Sequence, residues 1–137
     1  MLSKKMLAGA AVVFFFVLAF CAKLSAMETL TDLDALKDKA GRGKVVAVVF
    51  TADWCKWCKP FEENIFMPLA NSYQNNRNVE FYAFDLTEQS VAKTVTQELD
   101  FNAIPTVIVF SGDFDERDTF IAPKDPQTLR DAINGRL

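Results

Sequence analysis

After residue 26, the apolar positions of the chain alternate between strand-like and helix-like spacing. Three short runs rich in β-branched and aromatic residues have the composition of strands, at residues 44–51, 78–86 and 106–110. The first run, KVVAVVFT, is almost wholly apolar, which is typical of a strand buried on both faces. Helical spacing predicts a first helix capped by Thr31, a second that follows the WCKWCK segment and ends near Tyr73, and a third over 90–99.

The last third of the chain adds one strand and one helix to the predicted elements, and two prolines affect the second helix. Residues 117–121 can return as an antiparallel strand, and Asp125-Pro126 is typical of a helix start. Pro60 and Pro68 should perturb the second helix, and Pro68 is a candidate break. The order α-β-α-β-α-β-β-α implies an α/β fold, with a central sheet that contains parallel pairs and helices on both faces.

The first 26 residues have the features of a targeting segment. Two lysines precede an apolar run over residues 6–22, and a small-residue pair ends the segment. The run is slightly long for a cleaved signal peptide and slightly short for a membrane anchor, so both interpretations stay open. A lipid anchor on Cys21 is a third alternative, although Phe20 is bulky for such a site. Each alternative sends residues 27–137 across a membrane as a single domain.

Composition excludes several classes of function. The 137 residues contain no histidine, so neither Ser-His-Asp or Cys-His catalysis nor a His-ligated metal site is available. Three cysteines are too few for a disulfide scaffold or a Cys-only zinc site. A net charge of −3 argues against nucleic acid as the main partner. What remains is the chemistry of a cysteine pair in a small globular domain.

The sequence WCKWC places Cys55 and Cys58 where a buried strand ends and a helix begins. Free backbone N–H groups and the helix dipole favour thiolate there, so the pKa of Cys55 should fall below the ordinary value of about 8.5. Lys56 and Lys59 add positive charge nearby. Cys55 is then the attacking thiolate, and Cys58 resolves the mixed disulfide. A structural staple is disfavoured because so short a loop removes little entropy from the unfolded chain, and a metal site because two thiolates leave two tetrahedral positions empty.

The segment Ile104-Pro105-Thr106 directly precedes the third predicted strand. With the WCKWC segment before it, the chain resembles the thioredoxin superfamily over residues 31–137. Within that superfamily it is similar to the C-terminal periplasmic domain of DsbD-type reductases and to related small exported proteins. The motifs that carry this similarity are Ala52-Asp53-Trp54-Cys55, Cys58-Lys59, Phe61-Glu62 and Asp125…Thr128. The resemblance implies a thioredoxin fold with a central mixed sheet, a cis Ile104–Pro105 bond and thiol–disulfide exchange outside the cytoplasm.

Three residues near the pair depart from the family pattern. Val49 stands six residues before Cys55, where the family usually has a buried Asp that moves protons. Glu62 matches a second acid of DsbD-type domains and is the candidate proton carrier. The alternative is that Glu62 is only a solvated helix residue and that water carries the proton. Trp57 replaces a proline between the cysteines, and it can either bind a partner chain or only shield the surface. Ala122 replaces a glycine, which costs energy if the position needs a positive φ and otherwise narrows the groove.

The predicted function is an exported thiol–disulfide oxidoreductase that reduces protein or small-molecule disulfides. The predicted catalytic residues are Cys55, Cys58 and Glu62, and the predicted substrate-binding residues are Trp54, Trp57, Ile104 and Pro105. Neither a metal nor a cofactor beyond the disulfide is expected. The expected electron donor is a DsbD-type membrane protein. The domain should be a periplasmic or otherwise extracytoplasmic monomer, free or tethered by residues 6–22. A disulfide donor or isomerase and a non-catalytic binding module remain as alternatives.

Overall fold

A five-stranded mixed sheet forms the centre of the computed structural model, which describes residues 27–137. The strands are β1 (Thr29–Leu30), β2 (Val45–Thr51), β3 (Val79–Asp85), β4 (Thr106–Ser111) and β5 (Arg117–Ile121). They lie in the order β1-β3-β2-β4-β5. Strands β1 and β2 run parallel to β3, whereas β4 runs antiparallel to β2 and β5. The α/β class and the central mixed sheet are confirmed, and the targeting segment lies outside the described residues.

The helices are α1 (Leu33–Ala40), α2 (Cys58–Phe61), a π-helical segment (Glu62–Phe66), α3 (Met67–Ser72), α4 (Gln89–Leu99) and α5 (Pro126–Asn134). The cap of α5 is Asp125 as predicted, since its carboxylate accepts the Gln127 N–H at 2.9 Å. The predicted cap of α1 is wrong by one residue. Asp32, rather than Thr31, caps this helix by accepting the Asp34 N–H at 3.1 Å. No helix within residues 27–137 is both long and apolar enough to cross a membrane.

The predicted break at Pro68 does not occur, because the chain stays helical through the π-helical segment. The N–H of Met67 bonds back to the carbonyl of Glu62, five residues earlier, so the hydrogen-bond ladder is already rearranged where the proline enters α3. Pro60 lies in the first turn of α2, where a missing N–H breaks no intrahelical bond. Both prolines therefore fit one long helical stretch that starts at Cys58.

Two apolar cores lie on opposite faces of the sheet, and alternate side chains of β2 enter each one. Helices α1 and α4 pack on the first core, with Leu36, Ala40, Val95 and Leu99 buried against Val46, Val48 and Phe50 of β2. The helical stretch from Cys58 and helix α5 pack on the second, with Phe61, Phe66, Leu69, Leu129 and Ile133 buried against Val45, Ala47 and Val49. Helices thus cover both faces, as predicted.

The carboxyl ends of β2 and β3 meet at one edge of the sheet, because the two strands are parallel and Thr51 pairs with Asp85. The turn that carries the cysteines leaves the sheet at this edge. Strand β1 was not predicted. Its two residues are too few to show the alternation of a strand, and they become a strand by pairing with the edge of β3 that β2 does not occupy.

Candidate active site

Cys55 and Cys58 form a disulfide in the turn between β2 and α2, with their Cα atoms 5.4 Å apart. Two backbone bonds shape this turn: the Cys55 N–H donates to the Ala52 carbonyl at 3.1 Å, and the Cys58 N–H donates to the Cys55 carbonyl at 3.3 Å. Cys55 is partly exposed, whereas Cys58 has no exposed surface. Of the two sulfurs, that of Cys55 is therefore the one that a substrate can reach first.

The Ile104–Pro105 segment lies against this pair, although it is distant in sequence. The Ile104–Pro105 peptide bond is cis, and the Ile104 carbonyl oxygen lies 3.9 Å from Cys55 Sγ. On the far side, the Ala122 N–H donates to the Pro105 carbonyl at 2.8 Å. Ala122 has a φ of +42°, so the first of the two alternatives for this position holds: an alanine occupies backbone space that favours glycine.

One side of Cys55 opens into a mostly apolar depression of about 660 Å³, the apolar cleft. Its lining residues include Trp54, Trp57, Leu86, Phe101 and Ile104 together with Cys55. The two indoles are 66 % and 68 % exposed, which makes them the most exposed large apolar side chains of the described chain. The Lys56 ammonium lies 5.3 Å from the centre of the Trp57 ring.

The other side of Cys55 opens into a depression of about 560 Å³ that we call the acidic cleft. Its lining residues include Thr51, Asp53, Lys59, Glu62, Glu63 and Asp85 together with Cys55. Glu62 follows Cys58 by one helical turn and is half-buried, and its carboxylate accepts the Thr51 hydroxyl at 3.2 Å. Burial raises the pKa of Glu62, the carboxylates of Glu63 and Asp85 raise it further, and the Thr51 hydroxyl opposes them.

Val49 is fully buried in the second apolar core, where it packs with Phe61 and Phe66. A carboxylate is thus absent from this strand position. Thr51, two residues further along the same face of β2, supplies the hydroxyl that contacts Glu62. The polar contact between β2 and the helical stretch from Cys58 therefore lies at Thr51, near the carboxyl end of the strand.

The two lysines near the cysteines have partners of their own. Lys59 lies 3.9 Å from Glu63 and its side chain is 82 % exposed, while Lys56 stacks on Trp57. Exposed pairs of this kind are screened by water and contribute little. The two ammonium groups therefore add less positive charge at the cysteine pair than the sequence alone suggests.

The structure brings the seven predicted site residues together around the disulfide: Cys58 is buried, Pro105 follows Ile104 through the cis bond, and the other five line one or both clefts. Three further residues that line the acidic cleft were not predicted, namely Thr51, Asp85 and Thr87. Their signal in the sequence is their place at the carboxyl ends of two neighbouring parallel strands. Within residues 27–137, no group of three or more Cys, Asp or Glu side chains could hold a metal ion.

The known proteins to which this chain is similar include thioredoxins. The sequence model of the thioredoxin family matches residues 28–135. A thioredoxin of Malassezia sympodialis is 31 % identical over 107 residues, which cover 78 % of this chain and 95 % of that protein. An H-type thioredoxin of Brassica oleracea is 35 % identical over 78 residues, which cover 57 % of this chain and 58 % of that protein.

Solved structures agree with this relationship. The crystal structure of the Malassezia sympodialis thioredoxin superposes with a TM-score of 0.61 at 29 % identity, covering 81 % of this chain and 90 % of that one. Oxidised mitochondrial thioredoxin 3 of Saccharomyces cerevisiae superposes with a TM-score of 0.62, covering 80 % and 94 %, and at 21 % identity it supports the fold alone. The finer similarity to DsbD-type domains stays a prediction. The chain belongs to the thioredoxin family, and with its Cys55–Cys58 disulfide it is a thiol–disulfide oxidoreductase.

Proposed function

We propose that the protein is an exported reductase of disulfides. The observation that carries this proposal is the accessible Cys55 sulfur beside the Ile104 carbonyl, with Cys58 buried behind it. In the reduced protein, the Cys55 thiolate attacks one sulfur of a substrate disulfide, and the other sulfur leaves as a thiolate. Cys58 then loses its proton and attacks Cys55 Sγ, which releases the second substrate thiolate. Two electrons pass to the substrate, and the Cys55–Cys58 bond forms.

Substrate binding is assigned to Trp54, Trp57, Ile104 and Pro105. A substrate segment that brings its sulfur to Cys55 also covers the adjoining apolar cleft. The exposed indoles offer a large apolar area at a small cost in side-chain entropy. The backbone of Ile104, next to the reactive sulfur, is placed to hold an extended segment.

Glu62 is assigned the proton of Cys58. Its carboxyl lies one helical turn after Cys58 and lines the same cleft as Cys55. A pKa raised by burial brings the group closer to neutrality, where a carboxyl exchanges protons more readily. In this role Glu62 takes the place of an acid at the position of Val49.

Export and the electron donor rest on the sequence. The apolar run over residues 6–22 supports passage of the domain across a membrane, either cleaved or retained as a tether. A reductase outside the cytoplasm needs electrons from across the membrane, and the motif similarity to DsbD-type domains supports a donor of that type. The substrates are protein or small-molecule disulfides, and the protein acts as a monomer.

The reduction potential of the Cys55–Cys58 pair tests the direction of transfer. The purified protein is equilibrated with a series of glutathione or dithiothreitol buffers, and the reduced fraction is measured by thiol alkylation. A potential near the thioredoxin value of about −270 mV is expected. A potential near about −120 mV, the value of strong oxidants, would overturn the proposal and make the protein a disulfide donor.

Cell fractionation tests export. A membrane-impermeant maleimide should label the reduced thiols of intact spheroplasts or of the released periplasm. Labelling only after the cells are broken would contradict export. The amino terminus of the mature protein then distinguishes a cleaved signal peptide from a retained anchor.

A further inference from the structure

The turn that carries Cys55 is tied to the sheet by one threonine side chain. Main-chain pairing of β2 with β3 extends to a bond from the Leu86 N–H to the Thr51 carbonyl, 2.7 Å long. Beyond that bond the two segments separate. There the Asp53 N–H donates to the hydroxyl of Thr87 at 3.0 Å, so the Thr87 side chain continues the pairing by one step.

Asp85 sets the direction of this contact. Its Oδ1 accepts the backbone N–H of Thr87 at 2.8 Å and also accepts the Thr87 hydroxyl proton. A hydroxyl has a single proton to donate. Because that proton is committed to Asp85, a lone pair of the Thr87 oxygen is left to receive the Asp53 N–H. The three residues form a chain with one fixed polarity, from Asp53 through Thr87 to Asp85.

We propose that Thr87 is a positioning residue for disulfide exchange, which holds the Ala52–Cys55 turn so that Cys55 Sγ stays beside the Ile104 carbonyl. This inference rests on the proposed function, in which Cys55 is the attacking thiolate. The bond from the Cys55 N–H to the Ala52 carbonyl shapes the turn internally, and Asp53 lies inside that turn. Thr87 connects the turn to the end of β3, on the side away from Ile104.

The reaction gains from such a tie because attack on a disulfide needs the nucleophile in a narrow range of positions. Asp53 is exposed, so without Thr87 its amide would be free to bond to water and the turn could move away from the sheet. Thr87 touches no reacting atom. Removal of the Thr87 hydroxyl should therefore lower the rate of thiol–disulfide exchange.

The test compares Thr87→Val with Thr87→Ser in the full-length reduced protein, with Cys21→Ser in every sample so that Cys55 is the thiol that reacts with the probe. Valine keeps the shape and removes the hydroxyl, whereas serine keeps the hydroxyl. Thr119→Val makes the same chemical change at an exposed position of β5 and serves as the matched control. The probe is 5,5′-dithiobis(2-nitrobenzoate), a small disulfide, and the second-order rate constant is measured by stopped flow over a pH series. Urea unfolding of each oxidised variant reports stability separately.

Thr87→Val should lower the rate constant about five-fold, the factor that corresponds to one net hydrogen bond. Thr87→Ser should restore most of the rate, and Thr119→Val should match the wild-type protein. A Thr87→Val protein as fast as wild type would overturn the inference, as would a Thr87→Ser protein equally slow or a similar loss in Thr119→Val. A wild-type protein that fails to exchange with the probe would overturn the proposed function together with this inference.

Discussion

The apolar cleft and the acidic cleft share Cys55 but differ in the side chains that line them. The apolar cleft is built from indoles, Leu86, Phe101 and the Ile104 backbone, and no Asp or Glu of the described chain lines it. The acidic cleft is built at the joined ends of β2 and β3 and contains four carboxylates with one lysine. Cys55 thus lies between a surface suited to covering a substrate and a surface suited to exchanging protons.

The two clefts place two requirements of disulfide exchange on opposite sides of Cys55. Recognition of a substrate segment needs water-excluding area, whereas resolution by Cys58 needs a group that accepts its proton. A carboxylate beside the indoles would be desolvated by every bound substrate. On the opposite side of Cys55, Glu62 keeps contact with water and with Thr51. If the two sides act independently, a change in one cleft should leave the function of the other intact.

The largest effect is expected from Glu62→Gln, which removes the proton acceptor of the acidic cleft. Resolution of the mixed disulfide should slow on the order of 10²-fold, the low end of general acid–base catalysis. In the wild-type protein the rate should fall as pH falls through the pKa of Glu62, which burial holds above its ordinary value of 4.5. The variant should lack this limb of the pH profile. Single-turnover kinetics with a peptide disulfide measure both quantities.

Glu63→Gln is the matched control, because Glu63 is an exposed neighbour that pairs with Lys59. Its rate near neutral pH should stay close to that of the wild-type protein. Its pH profile should keep the Glu62 limb, displaced to lower pH because the Glu63 carboxylate no longer raises the pKa of Glu62. Equal losses in the two variants would indicate a general effect of negative charge in the cleft and would contradict the assignment of the proton to Glu62.

The same carboxyl should reduce stability at neutral pH. A folded-state pKa above the unfolded value means that the native protein binds the proton more tightly. The free energy of unfolding therefore decreases as pH rises through the window above 4.5. Glu62→Gln should accordingly be more stable than the wild-type protein at about pH 7 and similar to it at about pH 3. Urea unfolding of the oxidised proteins measures this, and a variant that is less stable at neutral pH would contradict it.

A smaller effect is expected from Trp57→Ala, which acts on the apolar cleft. The indole is 68 % exposed, so mainly a bound substrate can bury it. KM for a disulfide peptide with a bulky apolar residue beside its cysteine should rise about five-fold, with kcat nearly unchanged. Leu137→Ala removes an exposed apolar side chain at the chain end and should have no such effect. A loss confined to kcat would show that the two clefts are not independent.

The smallest effect is expected from Ala122→Gly, at a position that lines neither cleft. Glycine relieves the left-handed backbone at φ +42° but adds entropy to the unfolded chain, so a net gain of about 0.5 kcal/mol in the free energy of unfolding is expected. Ala132→Gly, within α5, should instead destabilise the protein. Urea midpoints at constant m-value measure both. A loss of stability in Ala122→Gly would contradict the strain assigned to this residue.

Several helices and strands begin and end where short-range sequence patterns predict them. The predicted strand over 117–121 coincides with β5, and the Asp125 cap starts α5 where it was expected. These signals are local, because a turn, a cap or a period of two needs only adjacent residues. The tolerance of the helix for Pro68 could not be foreseen, since it depends on the π-helical hydrogen bond from Met67 to Glu62.

The sequence by itself determined the α/β order, the two-faced burial of β2 and the place of the cysteines between a strand and a helix. Each of these follows from apolar spacing over a few residues, which decides which side chains leave water. Only the tertiary structure decided that Thr51 contacts Glu62, that Thr87 holds the Asp53 amide and that Cys55 lies between clefts of opposite character. These contacts depend on the register of β2 against β3 and on the path of the helical stretch from Cys58. Register joins residues distant along the chain, and no local pattern of polar and apolar positions specifies which of them meet.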